Sequence, residues 1–159
     1  MIIFVIFFTL VFCFGFVLLF GAPYLPTQTK QSGIAIKLLG LKSGQKFYEL
    51  GCGDGKVLIL AAKAGLVCVG YELNPLLFLV AKIRCLKYQN VSVKFGNFWK
   101  SDLSSADGVY VFLLDKYMSI LDKKLQKEFK KGARLASYTF KIQGKKPLVK
   151  ERGIFVYQY

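Results

Sequence analysis

The 159-residue chain contains no histidine, and its four cysteines (Cys13, Cys52, Cys68 and Cys85) include no C-x-x-C pair. These absences remove the recognisable zinc and haem sites and every mechanism built on a histidine base, so no metal site is expected. A disulfide framework is disfavoured too, because such scaffolds belong to smaller, cysteine-denser secreted chains. No G-x-x-x-x-G-K-[ST] run occurs, which excludes a P-loop. Acidic residues are scarce, 9 against 23 Lys and Arg, for a net charge of +14. Residues 1–29 carry no charged side chain at all, so the whole excess belongs to the remainder. It would attract nucleic acid, an anionic membrane face or an acidic protein, and net charge does not choose among them. A hydrophobic fraction of 54% excludes a disordered tail. The length suits one domain.

Ile2 to Phe20 is nearly all apolar, interrupted by Thr9 and Gly15. As a helix it would span roughly 28 Å, close to the ~30 Å hydrocarbon core. A buried core helix would show a polar stripe, and this run has none. A cleaved signal peptide would have basic residues ahead of a shorter apolar run. The expectation is a retained transmembrane anchor over 1–22, a linker over 23–30 stiffened by Pro23 and Pro26, and a domain over 31–159. Lys30 and Lys37 follow the run and nothing charged but the terminal amine precedes it, so the positive-inside bias expects a single-pass membrane protein with its domain on the cytoplasmic side. That side is reducing, which suits unpaired cysteines.

Beyond residue 30 the pattern alternates. Helices are expected over Gln31–Leu39, Lys56–Ala64, from Asn74-Pro75 to about Gln89, and from Met118 to Gly132. Strands are expected over Lys46–Leu50, Val67–Leu73, Val91–Phe95, Gly108–Leu114 and a long Ala133–Ile142. Leu148–Lys150 and Ile154–Tyr159 form a final pair turned at Arg152-Gly153. Such alternation predicts a doubly wound, mostly parallel α/β sheet.

The sharpest local signal is Glu49-Leu-Gly51-Cys-Gly53-Asp-Gly55, between a strand and a helix. Ligands of open α/β sheets bind beyond the carboxyl ends of the strands, where glycines allow a tight turn and a close approach. Glu72 follows Gly51 by 21 residues, at the end of the next strand. A carboxylate at that spacing can hold the ribose hydroxyls of an adenosine ligand. A dinucleotide fingerprint would need a third small residue at position 56, which is Lys56. A carboxylate at position 49 disfavours a pyrophosphate and suits the ammonium and sulfonium of S-adenosylmethionine.

ELGCGDGKV followed by GYELNP resembles the class I, seven-β-strand S-adenosylmethionine-dependent methyltransferases. More narrowly, the run from Thr27-Gln-Thr-Lys-Gln31 to Ala133-Arg-Leu-Ala-Ser-Tyr-Thr-Phe140 is similar to a small protein-lysine methyltransferase family. That family includes archaeal broad-range enzymes and the mitochondrial enzyme modifying the ATP synthase c-subunit. The resemblance implies a Rossmann-like seven-strand sheet and S-adenosyl-L-methionine as cofactor. It places Glu49, Gly51, Gly53 and Asp54 at the methionine end, with Cys52 and Gly55 in the same loop, and Glu72 on the ribose. It puts Asn97, Phe98 and Trp99 at the adenine, with an amide at 97 where the family carries Asp. Asp115 stands where the family more often has Pro. Asp115, Tyr117 and Tyr138 are the candidates to accept a hydrogen bond from the attacking amine.

The expected function is therefore a membrane-anchored methyltransferase acting on lysine in a protein substrate. The alternatives are a methyltransferase of lipids or other hydrophobic small molecules, and a non-catalytic S-adenosylmethionine binder. Lys123, Lys124, Lys127, Lys130, Lys131, Lys145, Lys146, Lys150 and Arg152 form either a solvated face or a surface for anionic lipid. RNA is the disfavoured partner, since no recognition module is present.

Overall fold

The computed structural model describes residues 29–159, together with Met1, Ile2, Phe4, Val5, Phe7, Phe8 and Val11. Among the described residues no helix is long and apolar enough to cross a membrane. Most of the expected anchor and linker lies outside them.

Seven strands form one sheet: β1 (Lys46–Leu50), β2 (Val67–Glu72), β3 (Val91–Phe95), β4 (Gly108–Val111), β5 (Arg134–Tyr138), β6 (Val149–Glu151) and β7 (Ile154–Gln158). Their order is β3-β2-β1-β4-β5-β7-β6. The first five pair in parallel, and β7 is antiparallel to both its neighbours. The order reverses between β1 and β4. Such a switch point opens a crevice at the carboxyl edge, because the flanking connections leave in opposite directions.

Helices α1 (Thr29–Leu39), α2 (Lys56–Lys63) and α3 (Pro75–Cys85) cover one face, and α4 (Asp115–Glu128) the other. On the first face Ala35, Leu39, Leu58, Ala61 and Ala81 pack on Phe47, Cys68 and Ala136. On the second, Met118, Leu121 and Leu125, spaced three and four apart, pack on Tyr48, Val109 and Leu135. Strand alternation thus sends Phe47 and Glu49 to the α1–α3 side and Tyr48 and Leu50 to the α4 side.

Several boundaries differ from expectation for local reasons. α3 begins where Asn74 Oδ1 accepts from the N–H groups of Leu76 (2.9 Å) and Leu77 (3.2 Å), with Pro75 at the first helical position. It stops at Cys85 rather than near Gln89. There Asn90 turns inward and donates to the carbonyls of Ala62 (3.0 Å) and Leu66 (2.8 Å), closing the end of α2. The long strand expected over Ala133–Ile142 ends at Tyr138, because Thr139 takes φ 71°. That break is held by the Ser137 hydroxyl donating to the Phe140 carbonyl (2.6 Å) and by Ile142 N–H donating to the Tyr157 hydroxyl (3.0 Å). α4 ends at Glu128, short of Gly132. The final hairpin turns at Arg152 (φ 45°) and Gly153 (φ 81°) as expected. Two successive left-handed residues match the twist of the strands they join.

Candidate active site

The carboxyl ends of β1 and β2 are joined by a web of backbone and carboxylate bonds. Gly51 and Cys52 both donate their N–H to the Tyr71 carbonyl (2.9 Å each), and Gly55 N–H donates to the Cys52 carbonyl (2.9 Å). The loop is so tight that Gly51, Gly53 and Gly55 all take positive φ (82°, 54° and 79°), which glycine alone adopts readily. At Gly55 an added Cβ would lie 3.1 Å from the Cys85 sulfur and 3.2 Å from the Ala81 methyl; at Gly51 it would meet open space. Gly55 therefore serves packing. Gly51 leaves the backbone bare toward the crevice.

Glu72, at the end of β2, holds this loop from the other side. Its Oε2 accepts from Gly53 N–H (2.7 Å) and its Oε1 from Asn74 N–H (2.8 Å). Each carboxylate oxygen has a further lone pair, so two acceptor positions remain for ligand hydroxyls. Glu72 thus shapes the loop as well as standing at the ribose position.

Glu49 is the unusual group. It is buried on the α1–α3 face, and its Oε2 has no hydrogen-bond partner. Burial, and then the carboxylates of Asp54 and Glu72, push its pKa well above the ordinary carboxylate range, against the pull of the Lys56 ammonium and the Leu58 N–H. A buried oxygen without a partner is costly unless something else donates to it. Beside bare backbone at Gly51, a cationic or N–H-bearing ligand group would supply that donor.

Asp54 is engaged elsewhere: it pairs with the Arg84 guanidinium on α3 and accepts from Lys56 N–H (3.3 Å). It braces the loop against α3 rather than turning to the crevice. Cys52 is buried under β2, and burial together with Glu49 raises its pKa, which leaves the thiol unreactive.

After β3, Asn97 Oδ1 accepts from Trp99 N–H (3.0 Å) and caps a 3₁₀ turn over Phe98–Lys100. Its amide N–H groups have no such bond, so Asn97 could donate to a ring nitrogen of adenine where Asp could only accept from the amine. The Phe98 and Trp99 rings lie 4.7 Å apart, and Trp99 lies 6.1 Å from Tyr117.

The three amine-facing candidates are not brought together. Asp115 is exposed in the first turn of α4, where its charge complements the helix dipole. Tyr117 packs on the α4 side of the sheet, and Tyr138 on the α1–α3 side with Glu49. Tyr138 sits 4.9 Å from Phe112, an aromatic pair at the carboxyl ends of β4 and β5 that the strand pattern alone does not reveal. Gln31 belongs with them. Arg134, at the start of β5, donates to the Leu39 carbonyl (2.9 Å), so α1 runs against the strands and its first turn lies toward the carboxyl edge. There Gln31 Oε1 is buried without a partner. Gln31 and Phe112 stand within runs that carry the family resemblance and the strand pattern, while Arg84 gives no sequence signal.

Of the basic cluster, Lys124 pairs with Glu128 (2.6 Å), Lys130 with Asp107 (2.6 Å) and Lys145 with Asp122 (3.1 Å). Three of the nine cations of that cluster are thus neutralised within the chain.

Residues 49–149 match a family described as the ANTKMT methyltransferase domain. A human lysine N-methyltransferase of the ATP synthase c-subunit is 36% identical over 121 residues, covering 74% of this chain and 52% of that protein. A protein-lysine N-methyltransferase of Saccharolobus islandicus (strain REY15A) is 36% identical over 130 residues, covering 79% and 81%. The chain thus spans about half the length of the human relative and four fifths of the archaeal one. Among solved structures, an RNA methyltransferase from Salinibacter ruber in complex with S-adenosyl-L-homocysteine superposes with a TM-score of 0.78 at 26% identity, covering 85% of this chain and 92% of that one.

Proposed function

The chain belongs to the ANTKMT methyltransferase domain family, and from that premise we propose that it transfers a methyl group from S-adenosylmethionine to a lysine side chain of a protein. The observation that carries the reading is the buried, partnerless Oε2 of Glu49 beside the open backbone at Gly51. It is an acceptor waiting for a positively charged donor. Glu72 keeps two acceptor positions for ribose hydroxyls, and Asn97 to Trp99 offer an amide and two rings for the base.

When bound, S-adenosylmethionine supplies an electrophilic methyl group on a sulfonium. The chain's own work is alignment and proton management, which explains how a protein without histidine can run the reaction. Glu49 holds the amino-acid end and, once its ligand is in place, favours its own ionised form. The incoming lysine must arrive as a neutral amine, and at its ordinary pKa only about one in 2,500 molecules is neutral at pH 7. An apolar approach alongside the Phe112–Tyr138 ring pair would lower that pKa by desolvation, and the Tyr138 hydroxyl can accept a hydrogen bond from the amine. The lysine assignment is supported by the two protein-lysine methyltransferases that are each 36% identical.

The reading extends to the amino terminus. Residues 2–20 form a single-pass anchor, the linker covers 23–30, and the catalytic domain over 31–159 faces the cytoplasm, the side that the uncharged run and Lys30 and Lys37 favour. The protein substrate is then itself membrane-embedded or membrane-bound.

Methyl-labelled S-adenosylmethionine, incubated with the protein and a membrane fraction, tests the activity. Label should appear in methyl-lysine after complete hydrolysis. Glu72→Ala should weaken cofactor binding about 10- to 150-fold, the worth of charge-assisted hydrogen bonds of about 1.5–3 kcal/mol. Label in RNA or lipid with none in lysine would overturn the substrate class, and no turnover with measurable binding would leave a non-catalytic binder.

A further inference from the structure

One face of the molecule is apolar and exposed. Leu76, Leu79, Val80 and Ile83 recur on α3 at i, i+3, i+4 and i+7, the spacing of a single helix stripe. The other side of α3 is already used: Ala81 and Cys85 are buried against the sheet and α2. The stripe therefore faces out, with Leu79 54% and Ile83 59% exposed, and Leu86, at the helix end, 72% exposed. Phe95, at the end of the edge strand β3, is 55% exposed and continues the patch beside Phe78, whose ring is 5.4 Å away. A monomeric soluble surface seldom carries such a run of aliphatic side chains.

The charge around the patch is mostly basic. Residues 73–101 contain Lys82, Arg84, Lys87, Lys94 and Lys100 and no Asp or Glu. Arg84 is taken by Asp54, but Lys82 and Lys87 meet no carboxylate among the described residues, while Lys94 lies over the Tyr71 ring on the other side of the sheet. On the helical wheel Lys82 and Arg84 flank the stripe on its two sides, as in helices that lie in a membrane interface with cations raised to the headgroups. A shallow groove next to the stripe is lined by Ile59, Ile83, Leu86 and Tyr88 together with Arg84 and Lys87. Apolar walls with cations at the rim suit an acyl chain below a phosphate.

We propose that the exposed face of α3, with Leu86 and Phe95, docks the folded domain onto an anionic lipid surface. A second copy is the poorer occupant, since a two-fold contact through this face would bring the Lys82 and Lys87 ammonium groups of one copy close to those of the other. Lipid satisfies both halves of the pattern at once: acyl chains cover the leucines and headgroups neutralise the lysines. Docking also orients the site. α3 starts three residues after Glu72, and Asp54 ties its Arg84 to the glycine loop, so a bilayer against α3 holds the crevice beside the membrane. This contact is distinct from the apolar run at 2–20 and does not depend on the methyl-transfer reading.

The test uses the full chain reconstituted with vesicles of phosphatidylcholine and phosphatidylserine. Photoreactive benzoylphenylalanine replaces Leu79 or Ile83, and, as a control on α4, the exposed Lys123. Lipid adducts should form at 79 and 83 at least about fivefold above 123. With the cations worth about 1 kcal/mol each near the surface, Lys82→Gln with Lys87→Gln should cut the adduct yield on anionic vesicles by up to about 25-fold. Adducts to a second copy or to residues 1–28 of the same chain, in place of lipid, would overturn the proposal. So would equal lipid labelling at all three positions, or none. Methyl transfer is read in the same samples, so loss of lipid contact with activity retained isolates the failure to this face.

Discussion

Glu49 sets up a conflict between the stability of the empty protein and ligand binding. Its carboxyl keeps a proton to higher pH in the folded chain than it would unfolded. Above the ordinary carboxylate range the folded state therefore binds more protons than the unfolded one, and stability falls as pH rises through that window. Glu49→Gln removes the ionisable group at nearly constant shape. Thermal melts without ligand should show a higher Tm for the variant at neutral pH, each ~1 kcal/mol being worth about 2–4 °C at this size, and a weaker decline with pH. Cofactor affinity should move the other way, falling about 10- to 150-fold. In the unmodified protein, binding of a cationic ligand draws Glu49 toward its ionised form. Calorimetry in two buffers of different ionisation enthalpy should then report proton release, and no release would mean that Glu49 does not face the ligand.

At the scale of elements, the glycine loop is clamped from behind by β2. Gly70 has an ordinary strand conformation, yet an added Cβ would fall 2.4 Å from Leu58 Cδ1 and 2.8 Å from Cys52 Sγ. Gly70→Ala should cost about 1–3 kcal/mol in a denaturation curve, as overpacked cores do. Because Cys52 belongs to the loop, cofactor affinity should fall with it. Retained stability would show that α2 slides freely over the sheet. The elements of the glycine loop were legible in the sequence because each rule is local: apolar KFYEL, three alternating glycines, then a periodic helix. The cap at Asn74 and the hairpin at Arg152-Gly153 were legible for the same reason. What escaped depends on distant partners. Asn90 ends α3 early by reaching to α2, Thr139 breaks β5 through bonds to the β7 region, and Asp54 is claimed by Arg84 thirty residues away. Strand order and the meeting of Phe112 with Tyr138 are likewise products of the assembled sheet, and no run of residues announces them.

For the whole molecule, three thiols report on global integrity. Cys52, Cys68 and Cys85 are all buried, and burial raises each pKa, that of Cys68 to about 12. Alkylation needs thiolate and access, and both are withheld in the folded state. With iodoacetamide at pH 8, residue-resolved mass spectrometry should find the three modified together, at a rate that follows unfolding. Earlier labelling of Cys52 alone would reveal that the glycine loop opens as a separate unit. The chain also contains a single tryptophan among nine tyrosines. Trp99 lies half-buried in the turn after β3, against Phe98 and near Tyr117. All of the protein's indole emission thus originates at the turn after β3, with Tyr117 close enough to pass its excitation to the indole. The fold has a built-in optical reporter, whose colour and intensity answer to whatever comes to rest beside that turn, without any dye attached.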